Sequence, residues 1–316
     1  MANVYPNLFS AFAQEAIATK NNMLSQGVVK IEVNQQVSRS GQYFSIPTQD
    51  NLLSILSDAT AIEGPTTQIT PTALSSYNEN GLVAHIGEGI KEANLETLLK
   101  GDKGISRIYS QIAPYMMLQA QDFLISAING VFATALSSSH TYDYSTTGDG
   151  KLSFDAMEIG SQAKLGEAFS ELDAIIMHSK QLMDLKVAGA VDYVSAADFG
   201  ANILYKGSIP VIGGKRVIVN DTLCAISSSK YPSYLVAGQP FYLGYQNQLR
   251  IETQRKADIG GGTDEAYFYM DFVPHVFGVS FSGTITNPTK TTYSTGSNWT
   301  KVGEDKNIKV VKLLTL

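Results

Sequence analysis

The chain has one cysteine, Cys224, among its 316 residues, so no intrachain disulfide can form and a reducing compartment is expected. Histidine is scarce as well. His85, His140, His178 and His275 show no His-x-x-His spacing and no cysteine neighbours, which argues against a zinc site. Each is expected to be a satisfied or a surface histidine. Charged residues make up only 16% of the chain, and a net charge of −6 argues against an obligate nucleic-acid binder, which would show a basic stripe. No run approaches the about 18 uninterrupted apolar residues of a membrane span. Residues 1–10 lack the basic region and apolar run of a secretory signal, so the sequons Asn220-Asp221-Thr222 and Asn298-Trp299-Thr300 carry little weight.

Catalytic patterns are missing too. No Gly-x-Ser-x-Gly elbow is present; Gly278-Val279-Ser280-Phe281-Ser282 comes nearest and lacks the second glycine. Gly214-Lys215-Arg216 is similar to the end of a phosphate loop, but Ile209 stands in place of its first glycine and Arg216 in place of its Ser/Thr. Asp264-Glu265 is expected to solvate a turn beside Gly260-Gly261-Gly262. Tyr267, Phe268, Tyr269, Phe272, Phe277 and Phe281 could stack bases, yet without interleaved Lys or Arg they read as a sheet core. No catalytic, cofactor-binding or metal-ligating residue is therefore expected, and the chain is read as a non-enzyme.

What is present is a full core and a long arm. Hydrophobic residues make up 44% of a 34.1 kDa chain, enough for one large or two ordinary domains. Surface polarity must come largely from Ser, Thr, Asn and Gln, which suits large contacts between subunits. Residues 5–24 read as a short amphipathic helix with rows Leu8, Phe12, Ala16 and Phe9, Ala13, Ile17. Residues 28–40 alternate Val29, Ile31, Val33 against Lys30, Glu32, Asn34, a half-buried strand. Gln42 to Pro47 is strand-like and closed by a proline that cannot donate to a ladder. A Thr/Ser/Pro/Asn-rich excursion over 66–82 then returns as Val83-Ala84-His85-Ile86, and Glu88 to Lys100 reads as a short helix.

From Asp102, a candidate N-cap, to Leu136 the chain is almost continuously helix-compatible. Ile105, Ile108, Tyr109, Ile112, Tyr115 and Met116 share one apolar face, and Phe123, Leu124, Ile128, Val131, Phe132 and Ala135 continue at helical spacing. Such a helix would span roughly 50 Å. Pro114 either kinks it or starts a second helix, and Gly130 suggests close packing, at a helix-propensity cost of about 1 kcal/mol relative to Ala. Ser137-Ser138-Ser139 ends the pattern.

Beyond a polar loop at 140–150, Ser153 or Asp155 is expected to cap a helix to about Phe169. Ala174-Ile175-Ile176-Met177 reads as a buried strand, with Ser179 capping the helix after it. Ile209 to Ile212 and Arg216 to Val219 flank Gly213-Gly214, a strong hairpin signal. Strands are expected at 233–237, 241–246, 249–255 and within 266–281, followed by a Thr/Ser-rich, then mildly basic tail from Asn287.

This order resembles the major capsid proteins of tailed bacteriophages, whose fold is named after phage Hong Kong 97. Gly41 to Pro47 resembles the first strand of the family's extended loop. Gln111-Ile112-Ala113-Pro114-Tyr115 through Asn129-Gly130-Val131-Phe132-Ala133 resembles its spine helix. Ala174 to Ser179 and Gly207 to Val217 resemble the strand-to-helix step and the hairpin of its axial domain. The resemblance covers about residues 25–283 and rests on the order of several weak signals.

It implies an α+β fold with N-terminal arm, extended β-hairpin loop, long spine helix, peripheral domain and axial domain. Residues 1–40 would be the arm and first peripheral strand, 41–101 the extended loop and return, and 102–140 the spine helix. Residues 141–244 would be the axial domain, 245–283 the peripheral return strands and 284–316 a C-terminal tail. The implied function is a major capsid protein whose pentamers and hexamers form the icosahedral head around double-stranded DNA. Its partners would be further copies of itself, a portal, scaffolding and decoration proteins, with packaged DNA touched only by non-specific proximity and no membrane involved. Assembly in the host bacterial cytoplasm and residence in the virion follow from the same resemblance. About 40 residues precede the loop, too few for a built-in scaffolding segment, so a separate scaffolding protein or none is expected. Lys91, Lys100 and Lys103 lie near the loop, where this fold admits Lys–Asn crosslinks, but no pairing can be read out. An encapsulin-type compartment shell shares the fold, and a phage tail-tube or adhesion protein or an enzyme are the remaining readings.

Overall fold

The computed structural model describes residues 22–33, 43–49, 76–93, 104–195, 208–245, 249–258, 262–283 and 288–316. A short turn, α1 (Asn22–Ser25), leads into β1 (Val29–Val33), then β2 (Tyr43–Gln49), β3 (Ser76–Leu82), β4 (Ala84–Ala93) and the long helix α2 (Gly104–Ala133). The middle of the chain gives β5 (Thr141–Asp143), α3 (Phe154–Leu165), β6 (Ala174–Met177), α4 (Ser179–Val187), β7 (Asp192–Ser195), β8 (Ser208–Ile212), β9 (Lys215–Val219) and β10 (Tyr231–Val236). The last part gives β11 (Phe241–Tyr245), β12 (Arg250–Lys256), β13 (Thr263–Val276), β14 (Val279–Phe281), α5 (Lys290–Ser294), β15 (Trp299–Lys301) and β16 (Val310–Thr315).

Two sheets enclose the long helix. In the five-stranded sheet β13 is central: β4 pairs along one edge, while β12 and then β11 pair in succession along the other, and β1 adds in parallel outside β11. The seven-stranded sheet runs β5-β16-β10-β6-β9-β8-β7. Its strands split their side chains between two cores, as alternation requires. Ala174, Ile176, Ile218, Tyr234, Val236 and Val310 join the core around α2, while Ile175, Met177, Val217, Leu235, Val311 and Leu313 join a second core under α3 and α4.

Helix α2 is buried from Ile112 to Phe132 on most of its circumference, so no single apolar stripe dominates it. Phe123 meets Phe272 of the five-stranded sheet edge-to-face at 5.4 Å, and Phe132 meets Tyr234 of the seven-stranded sheet at 5.3 Å. Full burial of Met116, Leu124, Ile128 and Val131 contributes on the order of 1.5–3 kcal/mol each. Pro114 lies inside the helix and does not divide it, although it removes one backbone bond. Tyr115 falls off the buried surface: it is exposed and reaches Phe268 edge-on at 6.4 Å.

Several local expectations change. Glu88–Ala93 is strand, not helix, because every residue from Ala84 to Ala93 pairs in register with β13, and tertiary pairing outweighs the helix preference of Glu and Lys. Residues 94–103, including Asp102, lie outside the described residues, as do 1–21, where most of the amphipathic N-terminal helix was expected. The long helix ends at Ala133, a turn before Leu136, and residues 134–139 form turns. Ser153 caps α3 by accepting from the Ala156 N–H, and a 3-10 turn replaces α-helix over Gly166–Glu171. His178, not Ser179, caps α4: its ring accepts from the Lys180 N–H while the Gln181 side chain accepts from its backbone. The Ser179 hydroxyl and N–H instead bond Asp221. Gly213 and Gly214 do turn the β8–β9 hairpin, with φ of 55° and 81°.

The largest correction is at the end of the chain. Residues 288–316 are no tail: β16 sits between β5 and β10 inside the seven-stranded sheet, and α5 and Trp299 pack on α2. A Gln181 side chain with 3% exposure ties this strand in, donating to Thr315 Oγ1 at 2.9 Å and accepting from Ser233 Oγ at 3.0 Å. Crossing of the last segment over α2 depends on Gly130, where an added Cβ would lie 2.0 Å from the Tyr293 carbonyl oxygen and 2.8 Å from Trp299 Nε1. That oxygen is already the acceptor of the Trp299 indole N–H at 2.8 Å.

Gly130→Ala therefore sets a helix-propensity gain of about 1 kcal/mol against overpacking of about 1–3 kcal/mol into backbone that cannot swing away. Overpacking is expected to win, and urea unfolding should show a lower midpoint at unchanged slope.

Candidate functional site

Each histidine is used structurally. His140 is fully buried, accepts from Ser139 Oγ at 2.8 Å and donates from Nε2 to the Asp305 carbonyl at 3.1 Å; burial pushes its pKa down. His178 caps α4, His85 pairs with Asp271, and His275 pairs with Glu79. No group of three or more His, Cys, Asp or Glu is placed to hold a metal among the described residues. Lys215 pairs with Glu158 of α3 at 2.6 Å, and Arg216 bonds the Gln26 carbonyl, so the would-be phosphate loop holds a hairpin turn and the α1–β1 turn in place. Asp264 is exposed on the β13 edge facing Arg255, but Glu265 is buried: Tyr267 O–H and Lys256 both donate to it and hold its pKa below the usual range.

The aromatic run divides by strand alternation. Phe268 and Phe272 turn toward α2, while the Tyr267 and Tyr269 rings lie close beside Gly89 and Gly87 of β4. A Cβ at Gly87 would stand 2.6 Å from the Tyr269 ring, so the tyrosine leaves no room for a side chain at that position.

The structure concentrates its unusual features where β2 and β3 leave the body. Among the described residues these two strands pair only with each other, Tyr43↔Leu82 through Gln49↔Ser76, and Pro47 is accommodated in this two-stranded ribbon. Return strand β3 begins within the stretch expected to be a polar excursion. It is fastened at its base by side chains rather than by a ladder. Glu79, buried, accepts from His275 Nε2 at 3.0 Å and from the Gly278 N–H at 2.9 Å. Asn80 N–H donates to Ser280 Oγ at 3.1 Å, and Tyr293 O–H donates to the Leu82 carbonyl at 2.8 Å. Nothing in the residues around Glu79 signalled this role, because its partners lie almost 200 positions away.

Four exposed apolar side chains lie on the helices of the seven-stranded sheet. Met183 and Val187, one turn apart on α4, are 60% and 81% exposed, and Phe154 and Ile159 on α3 are also exposed. Cys224 is not among the reactive groups: it is buried, donates weakly to the Ile176 carbonyl, and burial pushes its thiol pKa far up. A thiol reagent at neutral pH is expected to leave it unmodified in the folded chain and to modify it fully in denaturant; rapid native labelling would contradict this placement.

Comparison with known proteins gives the same architecture. The model of the Gp13-like family, major capsid protein 13-like, matches residues 63–309. The major capsid protein of Bacillus phage SPP1 is 26% identical over 314 residues, covering 96% of this chain and 90% of that protein. Among solved structures, the capsid of Ralstonia phage GP4 aligns with a TM-score of 0.58 at 12% identity, covering 91% of this chain and 87% of that one. The head structure of Helicobacter pylori bacteriophage KHP40 aligns at 0.54 with 11% identity, over 92% and 87%. At such identities these structures speak for the fold, which is the Hong Kong 97-like one. The family match favours a phage head over an encapsulin-type compartment or a tail tube. The chain belongs to the Gp13-like family of major capsid proteins.

Proposed function

We propose that this major capsid protein builds its icosahedral shell with a division of labour between its two sheets. The seven-stranded sheet with α3 and α4 serves as the axial domain, meeting other copies at the capsomer centre. The five-stranded sheet with α2 serves as the peripheral domain. The β2–β3 ribbon reaches over a neighbouring copy. The observation that carries this reading is the ribbon itself: two strands alone are marginally stable in water, and a second surface is what such a ribbon needs. The axial boundary moves under this proposal. Strand β11 belongs with the five-stranded sheet, so the axial portion ends near Val236 and regains β16 from the last residues.

Nothing in this role calls for bond making, and the chain acts as a structural subunit. Its principal partner is itself, in contacts that close into rings and, repeated, into a shell. Portal, scaffolding and decoration proteins are further partners, and assembly takes place in the cytoplasm of the host bacterium. The exposed Met183–Val187 row on α4 supports copy-to-copy contact at the axial end.

Negative-stain microscopy of the protein expressed with its neighbouring genes is expected to show closed shells. Rods would favour a tail tube instead, and a monodisperse active monomer would overturn the reading. Val187→Asp is expected to leave far-ultraviolet circular dichroism unchanged while lowering the yield of shells at least tenfold, about the effect of 1.4 kcal/mol at one contact.

A further inference from the structure

The seven-stranded sheet runs into the five-stranded one where β10 ends. Residues 237–240 carry the chain from β10 into β11, with Gly238 in the left-handed region at φ of 60° and Pro240 buried. Strand β11 is parallel to β1, Val29 opposite Phe241, so residues 26–28 enter the five-stranded sheet alongside that link. They also turn at a left-handed glycine, Gly27, with φ of 72°. Two glycines of this kind, on adjacent lead-ins, give the chain two places to swivel.

Two side chains of the seven-stranded sheet hold both lead-ins. Arg216 of β9 is 7% exposed and donates from Nη1 to the Gln26 carbonyl, while its Nη2 stands 3.6 Å from Asp173 Oδ2. Asp173, immediately before β6, accepts from the Gly238 N–H on its other oxygen at 3.3 Å. The Asp173 backbone is itself fixed on both sides. Its N–H donates to the Val236 carbonyl and its carbonyl accepts from the Arg216 N–H, each at 3.0 Å. A planar guanidinium can serve a carbonyl and a carboxylate at once in fixed directions, which the point charge of a lysine does not. The buried charge is tolerated because both partners are present to receive it.

We propose that Asp173 and Arg216 are a positioning pair that fixes the angle between the two sheets by gripping the Gln26 and Gly238 lead-ins together. Helix α2 gives the sheets a common wall, but the pair acts at the chain crossing itself. There a small change in φ and ψ at Gly27 or Gly238 would swing one sheet against the other. The nearby Lys309–Glu171 pair is a natural contrast. The Lys309 carbonyl accepts from the Ala237 N–H, yet its side chain only joins two parts of the seven-stranded unit. That the angle within one copy becomes the angle between copies, and so the curvature of a shell, rests on the proposed function; the clamp itself does not.

Pulsed electron paramagnetic resonance on the full chain tests this, with spin labels on Ala163→Cys of α3 and Gln254→Cys of β12, both exposed positions. Buried Cys224 stays unlabelled, and dilution into unlabelled chain restricts the reading to distances within one copy. The native pair is expected to give a narrow distribution, which Arg216→Gln widens roughly twofold or more. Should Arg216→Gln fail to fold, Asp173→Ala decides: its side chain is half exposed, and it is expected to widen the distribution likewise. Lys309→Gln is expected to keep the narrow distribution. An unchanged width in Asp173→Ala would overturn the clamp even if the melting temperature fell, as would equal widening in Lys309→Gln. Microscopy then reads the consequence, with Asp173→Ala expected to give shells of several diameters where the native chain gives one. Uniform shells despite widened distances would overturn the step from angle to curvature. A native chain that builds no shells would sink the assembly reading, while the distances still judge the clamp.

Discussion

Everything in this fold depends on one helix having more apolar surface than a single sheet can cover. From Ile112 to Phe132, α2 carries buried side chains on several faces, and each must leave water somewhere. The five-stranded sheet takes the Phe123 side, the seven-stranded sheet takes the Phe132 end, and α5 with Trp299 closes over Gly130. Among the described residues the two sheets share no hydrogen-bonded strand, so α2 is the common wall between them, assisted by the Arg216 contact with Gln26. A rod with two walls transmits orientation between them, because close-packed interiors do not deform continuously.

Against that rigid centre, three polar contacts stand out at junctions. Gln181 links α4 to β10 and β16, Lys215 links the hairpin to α3, and Glu79 links the ribbon to β13 and β14. Each is a buried or half-buried group with named partners, which is how such groups avoid the penalty of desolvation. They specify which elements meet, while apolar burial supplies most of the stability. The surfaces proposed above to build the shell lie elsewhere, on the outer side of α4 and along the ribbon.

The readable part of the sequence was its local periodicity. Ala174 to Met177, the Gly213-Gly214 turn and the long helix are each written in one contiguous stretch, so spacing alone finds them. The two-serine turn at Ser228-Ser229 was not readable, because both residues take left-handed φ of 51° and 63° without a glycine to mark them. Glu88 to Ala93 misled in the other direction, since charged residues at helical spacing cannot announce a strand partner near residue 265. The capping role of His178 and the anchoring role of Glu79 depend on neighbours in space, and a Thr-rich, Lys-dotted end says nothing about the slot between β5 and β10.

That slot has a consequence in time. Strands β5 and β10 are made long before residues 310–315, yet β16 must enter between them before either edge is covered. Through most of synthesis the larger sheet is an open frame with an unpaired strand edge, and its core under α3 lacks Val311 and Leu313. Pairings of such long sequence separation form late and slowly. A half-made chain therefore lacks the strand that completes this sheet, and under the proposed axial role it has no finished surface to offer a growing shell.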